Sequence, residues 1–112
     1  MRQASLASRT AEAAPVFAAL GDETRLAIVA RLCTAGPQSI AELTEGASVT
    51  RQAITKHLYV LADAGLVQGI RQGRESVWQL DPARLADARR LLDRISDDWD
   101  DALGRLKRLV EG

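Results

Sequence analysis

Five side chains in one short segment of the chain have the chemistry needed to contact a nucleic acid. They combine two cations with neutral hydrogen-bonding groups: Arg51, Gln52, Thr55, Lys56 and Tyr59. Arginine, glutamine, lysine and threonine are side chains that pair with base edges and with phosphates. The segment therefore favours a surface that contacts a nucleic acid, and an ordinary solvated helix face is the alternative.

The neighbouring apolar residues predict that this segment is a helix. Ile54, Leu58 and Leu61 recur at i, i+4 and i+7, which places them along one side of a helix. At about 100° per residue, Gln52, Lys56, Tyr59 and Asp63 fall on the opposite side, with Thr55 at its edge, and Arg51 lies in the first turn. We therefore expect a helix that buries one side and presents the polar side chains on the other.

Capping residues mark the ends of this helix and of a shorter helix before it. Thr50 can accept an unpaired backbone N–H of the first turn and is also expected among the residues that contact the nucleic acid. Gly65 lies where a left-handed C-terminal cap is expected. Ser39 and Glu42 have the spacing of a capping box, which predicts a short helix that stops at Gly46. Two helices joined by a short turn that contains glycine match the helix-turn-helix motif.

Two strands are predicted directly after the second helix of this motif. Residues 66–72 and 75–80 are suited to strands, and Gly73 favours a turn between them. Such a hairpin corresponds to the wing of a winged helix. Arg71 and Arg74 would lie at or near its tip, where we expect a phosphate or minor-groove contact; arginines that only keep the hairpin soluble are the alternative.

Two further helices are predicted before the helix-turn-helix. Residues 1–9 are polar and small and are expected to be disordered. Residues 10–20 are rich in alanine and predict a first helix, although Pro15 leaves its start uncertain. Asp22 can cap a second helix over residues 23–34, which ends before a Gly-Pro pair.

A long terminal helix is predicted over residues 82–110. Its apolar residues alternate spacings of three and four: Leu85, Ala88, Leu92, Ile95, Trp99, Ala102, Leu106 and Leu109. A heptad stripe of this length is typical of a helix that pairs with another helix. We expect part of it to pack on the first helix and part on a second copy of the chain; packing wholly within one chain is the alternative. The expected dimer interface comprises Phe17, Leu92, Ile95, Trp99, Leu103 and Leu106.

The composition limits the possible classes of protein. A chain of 112 residues predicts one domain over residues 1–112, and its 15 basic and 15 acidic residues leave no net charge to attract a polyanion. Residues 50–80 are nevertheless locally basic. One cysteine excludes an internal disulfide, and no apolar run is long enough to span a membrane. Residues 1–14 lack the apolar region of a secretory signal, so none is expected. We therefore expect a cytoplasmic protein that makes no membrane contact.

The single cysteine and the single histidine of the chain each have a side chain that could be either structural or functional. Cys33 is expected on the inner face of the second helix as a small buried hydrophobe, and a redox sensor is the alternative. His57 is expected to serve in packing or beside a phosphate. Since no nucleophile has a base and an orienting group in a known motif, and no glycine-rich phosphate loop is present, we predict no enzyme activity.

Taken in order, these elements resemble the ArsR/SmtB family of bacterial winged-helix repressors. FAALGDETRL at residues 17–26 is similar to the family's opening "ALxDxTRLxIL", and VTRQAITKHL at residues 49–58 to its recognition helix "LSQSTVSxHL". AGLV at residues 64–67 matches "LxxAGLV", and RQGR at residues 71–74 resembles "RxGRxxxYxL". The resemblance implies a mainly α fold with a two-stranded β wing, and a homodimer paired through its terminal helices. It also implies a repressor that a signal releases from operator DNA.

The metal-sensing residues of the best-known family members have no counterpart in this chain. Those members carry a Cys-x-Cys pair in the short helix, where this chain has IAELTE at residues 40–45, or use histidines of the terminal helix, which has none here. Zinc and softer metals prefer thiolate or imidazole ligands. The resemblance therefore implies a branch that senses no metal, with no cofactor and with an unknown effector.

Two alternatives to this function remain open. A MarR-like, ligand-responsive regulator is disfavoured by the short N-terminal part and the single terminal helix. A protein-interaction module that kept the fold and lost DNA binding is favoured by the absence of net charge.

Overall fold

The computed structural model of the protein describes residues 6–111. In chain order the elements are α1 (Leu6–Leu20), α2 (Glu23–Ala35), β1 (Gln38–Ser39), α3 (Ile40–Thr44), α4 (Arg51–Asp63), β2 (Val67–Gln72), β3 (Glu75–Leu80) and α5 (Pro82–Glu111). The helix-turn-helix is formed by α3 and α4, and the hairpin β2–β3 is the wing that follows it. The predicted winged helix-turn-helix fold is confirmed.

The first helix is longer than the sequence indicated. It begins at Leu6, so residues 6–9 are helical where disorder was expected, and residues 1–5 lie outside the described residues. Pro15 lies inside α1. Proline there removes one backbone donor from the helix, which is why its position left the start of the helix ambiguous.

The predicted caps of the helix-turn-helix are present. The backbone N–H of Ser39 donates to Glu42 Oε1 at 3.0 Å, and the backbone N–H of Glu42 donates to Ser39 Oγ at 3.1 Å. Thr50 Oγ1 accepts from the backbone N–H of Ala53 at 3.1 Å. Gly65, which follows α4, has a φ of 78°, a left-handed conformation that glycine adopts without strain. These contacts hold both ends of α4 in place.

The sheet has three strands, and only two of them were predicted. Its order is β1-β3-β2, and both pairs are antiparallel. The additional strand β1 has two residues, Gln38 and Ser39, which pair with Trp78 and Val77 of β3. A strand of two residues is too short for an alternating pattern of apolar and polar side chains, so the sequence carried no signal for it.

The core surrounds α4. Its stripe of Ile54, Leu58 and Leu61 is fully buried, together with Leu66 after the helix and Val16 of α1. Residues of α2, α3, β2 and the start of α5 complete this cluster. Because the stripe is enclosed on all sides, the opposite side of α4 is oriented rigidly toward solvent.

The prediction that Cys33 is buried is wrong. The side chain of Cys33 is exposed, and the buried residues of α2 are Ile28, Val29 and Leu32. Cys33 lies about 100° around the helix from Leu32, which takes it off the buried side. Leu26 of the same helix is also exposed, at 53%.

Candidate nucleic-acid interface

The outward side of α4 presents three polar side chains that have no partner in the described part of the chain. Arg51, Gln52 and Lys56 are exposed, and within residues 6–111 none of their side chains forms a hydrogen bond or an ion pair. The buried stripe on the opposite side of the helix orients Gln52 and Lys56, and Arg51 is exposed at the first residue of α4. These three side chains are therefore available to contact a ligand of the helix.

The two threonines assigned to the same surface already make local hydrogen bonds. Thr50 caps α4 through its hydroxyl oxygen, and Thr55 Oγ1 donates to the backbone carbonyl of Arg51 at 2.9 Å. Thr55 is half-buried at the edge of the exposed side, as its position in the helical pattern indicated. Thr50 therefore has a structural role as the cap of α4, and its hydroxyl hydrogen remains available to donate to a phosphate.

Tyr59 connects the recognition helix to the wing. Its ring packs edge-on against the ring of Trp78 in β3, with the centroids 6.0 Å apart and the planes at 89°. Such T-shaped pairs are favoured by the quadrupoles of the rings. Trp78 also lies over Gly69 of β2, where an added Cβ would stand 3.6 Å from the indole. The sequence assigned Tyr59 to the polar surface, but it did not reveal this contact.

Two arginines extend the basic surface to the tip of the wing. Gln72 pairs with Glu75, so Gly73 and Arg74 form the turn, and Gly73 has a φ of 61°. Arg71 Nε donates to the carbonyl of Gly73 at 3.4 Å. Both arginines are exposed, as predicted. The wing thus presents two cations on the hairpin that directly follows α4.

A second cluster, which sequence reasoning missed, lies behind the recognition helix. Arg25 Nε donates to the carbonyl of Ala19 at 2.6 Å, and its Nη1 lies 3.3 Å from His57 Nδ1. Since a guanidinium only donates, Nδ1 must accept, which places the proton of a neutral imidazole on Nε2. Arg25 therefore connects the end of α1 to α4. It lies in the motif that resembled the family's opening, but no pattern assigned it a partner.

Asp22 completes this cluster at the start of α2. Its Oδ2 accepts from the backbone N–H of Arg25 at 3.0 Å and lies 3.9 Å from His57 Nδ1. The backbone hydrogen bond from Arg25, aided by the positive charge of Arg25, lowers the pKa of the Asp22 carboxyl below its ordinary value of 3.8. Asp22 thus remains a carboxylate, which is the form that caps a helix best.

The terminal helix presents a second exposed face of different chemistry. From Leu92 onward its stripe is solvent-exposed, with Ile95 and Leu103 49% exposed and Trp99 65% exposed. Phe17, the remaining residue of the predicted interface, is half-buried against the core. A large apolar face that one chain leaves uncovered is a feature of protein interaction sites.

Two further features of residues 6–111 bear on the class of protein. None of their helices is both long enough and apolar enough to cross a membrane. They also contain no group of three or more histidine, cysteine or acidic side chains placed to hold a metal ion.

Comparison with known proteins agrees with this geometry. Residues 20–70 match a family model described as a helix-turn-helix domain. The chain is 43% identical over 93 residues to the HTH-type transcriptional regulator Rv2034 of Mycobacterium tuberculosis, covering 83% of each chain. It is 38% identical over 64 residues to the arsenical resistance operon repressor of Bacillus subtilis, covering 57% of this chain and 61% of that one. An ArsR-like transcriptional regulator from Rhodococcus sp. RHA1 superposes with a TM-score of 0.74 at 42% identity, over 88% of this chain and 92% of that one.

The fold and the exposed side of α4 define a winged helix-turn-helix regulator. With these relatives, the chain belongs to the ArsR family of helix-turn-helix transcriptional regulators. The predicted resemblance and the predicted function in DNA-binding transcription regulation are confirmed, and the relatives point to a regulator rather than to an enzyme. The roles of individual residues stay predictions.

Proposed function

We propose that this protein is a homodimeric repressor that binds an inverted-repeat operator through α4 and the wing. The observation that carries the proposal is the set of exposed, unpartnered side chains on α4, Arg51, Gln52 and Lys56. A recognition helix of this kind enters the major groove with residues near its N-terminus against base edges. Arg51 and Gln52 occupy the first turn of α4, where such contacts are made.

The wing supplies contacts of a different kind. Arg71 and Arg74 stand on a hairpin tip with their charges in solvent, where they are suited to phosphates or to the minor groove. Tyr59 and Trp78 join α4 to the wing, so both surfaces would meet the duplex together. The locally basic residues 50–80 would then attract DNA, although the net charge of the whole chain is zero.

Pairing through α5 would supply the second half of the operator contact. The exposed face from Leu92 to Leu106 is suited to a second copy of the chain, because a repeat of three and four residues lets two helices interlock. Trp99 is central in this face and is the expected anchor. Phe17, which is half-buried against the core, is the residue of α1 expected at the same interface. A two-fold dimer would read half-sites about 10 bp apart, or a multiple of that distance, on an inverted repeat.

The proposal is tested by DNA binding of an Arg51→Ala/Lys56→Ala double variant. The operator is first selected from random double-stranded DNA with the wild-type protein, and affinity is then measured by fluorescence anisotropy at several salt concentrations. We expect the variant to lose at least ~1–3 kcal/mol of binding free energy, the usual cost of removing one base-reading side chain.

A matched Arg105→Ala/Arg108→Ala variant serves as the control. These two arginines are exposed on α5, away from the proposed DNA surface, and their removal changes the net charge by the same amount. We expect this variant to keep the operator affinity of the wild type. Equal affinity of the two double variants would reject α4 as the reading helix. Failure of the wild type to select any sequence would favour a protein-interaction module.

A further inference from the structure

A cavity of about 290 Å³ lies between α1 and α5, apart from the surface proposed for DNA. This volume is at the lower end of the range for small-molecule sites, and it suits a ligand about the size of one substituted ring. Its inner part is formed by Ala13, Val16 and Leu91, all of which are at most 8% exposed. An apolar interior of this size favours the apolar body of a small ligand.

The outer part of the cavity is lined by charged residues. Four arginines, Arg9, Arg84, Arg90 and Arg94, outnumber the two carboxylates in the lining and leave a net positive charge. All four are exposed. Guanidinium groups bind carboxylate and phosphate in bidentate fashion and also stack on aromatic rings. The combination of a cationic opening and an apolar interior selects for an amphipathic anion.

The existing ion pairs at the opening are weak enough for a ligand to replace. Asp87 pairs with Arg90 and lies 3.7 Å from Arg84, while Arg94 lies 3.6 Å from Asp98. Ion pairs between exposed side chains one helical turn apart contribute little to stability, because solvent screens the charges. Arg9 of α1 forms no ion pair within residues 6–111. A ligand anion can therefore engage these guanidinium groups at little cost.

The part of α5 that lines the cavity differs from the part that carries the exposed apolar stripe. At about 100° per residue, the α5 residues that line it are centred roughly a third of a turn away from the exposed stripe of Leu92, Trp99 and Leu106. A partner helix that covers the stripe would approach from a different side of α5. All the residues that line the cavity come from one chain.

We infer that the cavity between α1 and α5 binds a small amphipathic anion, with a carboxylate or phosphate at the arginines and an apolar ring in the interior. Four probes separate the parts of this statement. Benzoate and phenyl phosphate carry both features, benzamide has the ring without the charge, and inorganic phosphate has the charge without the ring. Binding of each to the full chain is measured by isothermal titration calorimetry and by amide chemical-shift changes.

We expect one benzoate or phenyl phosphate per chain, with shift changes confined to α1 and the first half of α5. Benzamide and inorganic phosphate should bind at least tenfold more weakly. The relative affinity of benzoate and phenyl phosphate identifies the preferred headgroup. An Arg9→Ala/Arg94→Ala variant, which removes one exposed cation from each helix, should bind the two anions at least tenfold more weakly.

Three results would overturn the inference. The first is that benzamide or inorganic phosphate binds as tightly as the amphipathic anions. The second is that the Arg105→Ala/Arg108→Ala control loses as much affinity for these anions as the Arg9→Ala/Arg94→Ala variant. The third is that no probe shows saturable binding at millimolar concentration. Thermal unfolding of each variant verifies that it is folded. Because DNA is absent from these measurements, their outcome is independent of the proposed repressor function.

Discussion

Helices α4 and α5 each carry an apolar stripe and a polar side, but they leave opposite sides exposed. On α4 the stripe of Ile54, Leu58 and Leu61 is at most 1% exposed, and the polar side meets solvent. On α5 the apolar residues from Leu92 onward are at least 49% exposed. One helix thus presents hydrogen-bonding groups to solvent, and the other presents an apolar face.

The difference comes from the neighbours of each helix. Helix α4 packs against α1, α2, α3 and β2, which enclose its stripe completely. Helix α5 packs chiefly against α1, and only Ala88 and Leu91 are buried along its 30 residues. Such a helix is about 45 Å long, so most of it extends beyond the reach of α1. Similar patterns therefore leave different chemical groups exposed because their surroundings differ.

The largest effect should follow loss of a side chain from the stripe of α4. Leu58→Ala should lower the free energy of unfolding by about 2–5 kcal/mol, because it leaves a cavity in a fully enclosed core. Leu109→Ala, a change of the same type at a side chain that is 82% exposed, should cost far less. Urea unfolding at fixed protein concentration measures both. Equal losses in the free energy of unfolding would show that the stripe of α5 is enclosed as fully as the stripe of α4.

Removing the proposed anchor of α5 should weaken the dimer. Trp99→Ala should cost about 2 kcal/mol or more of association free energy, since central aromatic residues dominate interface energetics. Sedimentation equilibrium at micromolar concentration measures the change, and operator affinity should fall with it. Asp98→Ala, on the adjacent polar side, serves as the control. A wild-type chain that is monomeric under these conditions would contradict pairing through α5.

The exposed side of α4 and the wing should affect DNA binding in different ways. Gln52→Ala should cost about 1–3 kcal/mol on the preferred operator and relax selection at one base pair. Arg74→Ala should weaken all sequences alike and reduce the salt slope by about 0.9. Competition binding with operator variants over a salt series separates the two patterns. Loss of selectivity in Arg74→Ala would indicate that the wing reads bases.

The smallest effect is expected at the cap of α2. Because the pKa of Asp22 is lowered in the folded chain, the carboxylate contributes stability above its ordinary pKa of 3.8. This contribution is lost as the pH falls through the lowered value. Asp22→Asn retains a capping side chain without a titrating group. Between pH 5 and pH 3 the wild type should therefore lose more stability than Asp22→Asn in thermal unfolding. The same dependence of thermal stability on pH in both proteins would contradict the lowered pKa of Asp22.

Local signals in the sequence predicted most of the DNA-binding region. The spacing of Ile54, Leu58 and Leu61 predicted both the helix and its buried side, and the capping residues placed its start. These signals are reliable because each depends on residues within one or two turns. The burial of Cys33 was predicted wrongly because it depends on contacts with distant parts of the chain. Two similar apolar stripes run along α2, and only packing determines which of them is buried.

The sequence by itself determined the order and type of the principal elements, the exposed polar side of α4 and the family of the protein. Only the tertiary structure decided which contacts join those elements: the link from Arg25 to His57, the Tyr59–Trp78 pair, the strand β1 and the cavity between α1 and α5. Helices and turns follow from periodicity and capping between near neighbours in the chain. Contacts between distant residues depend on how elements pack, and no local pattern encodes the distance between two side chains that the fold brings together.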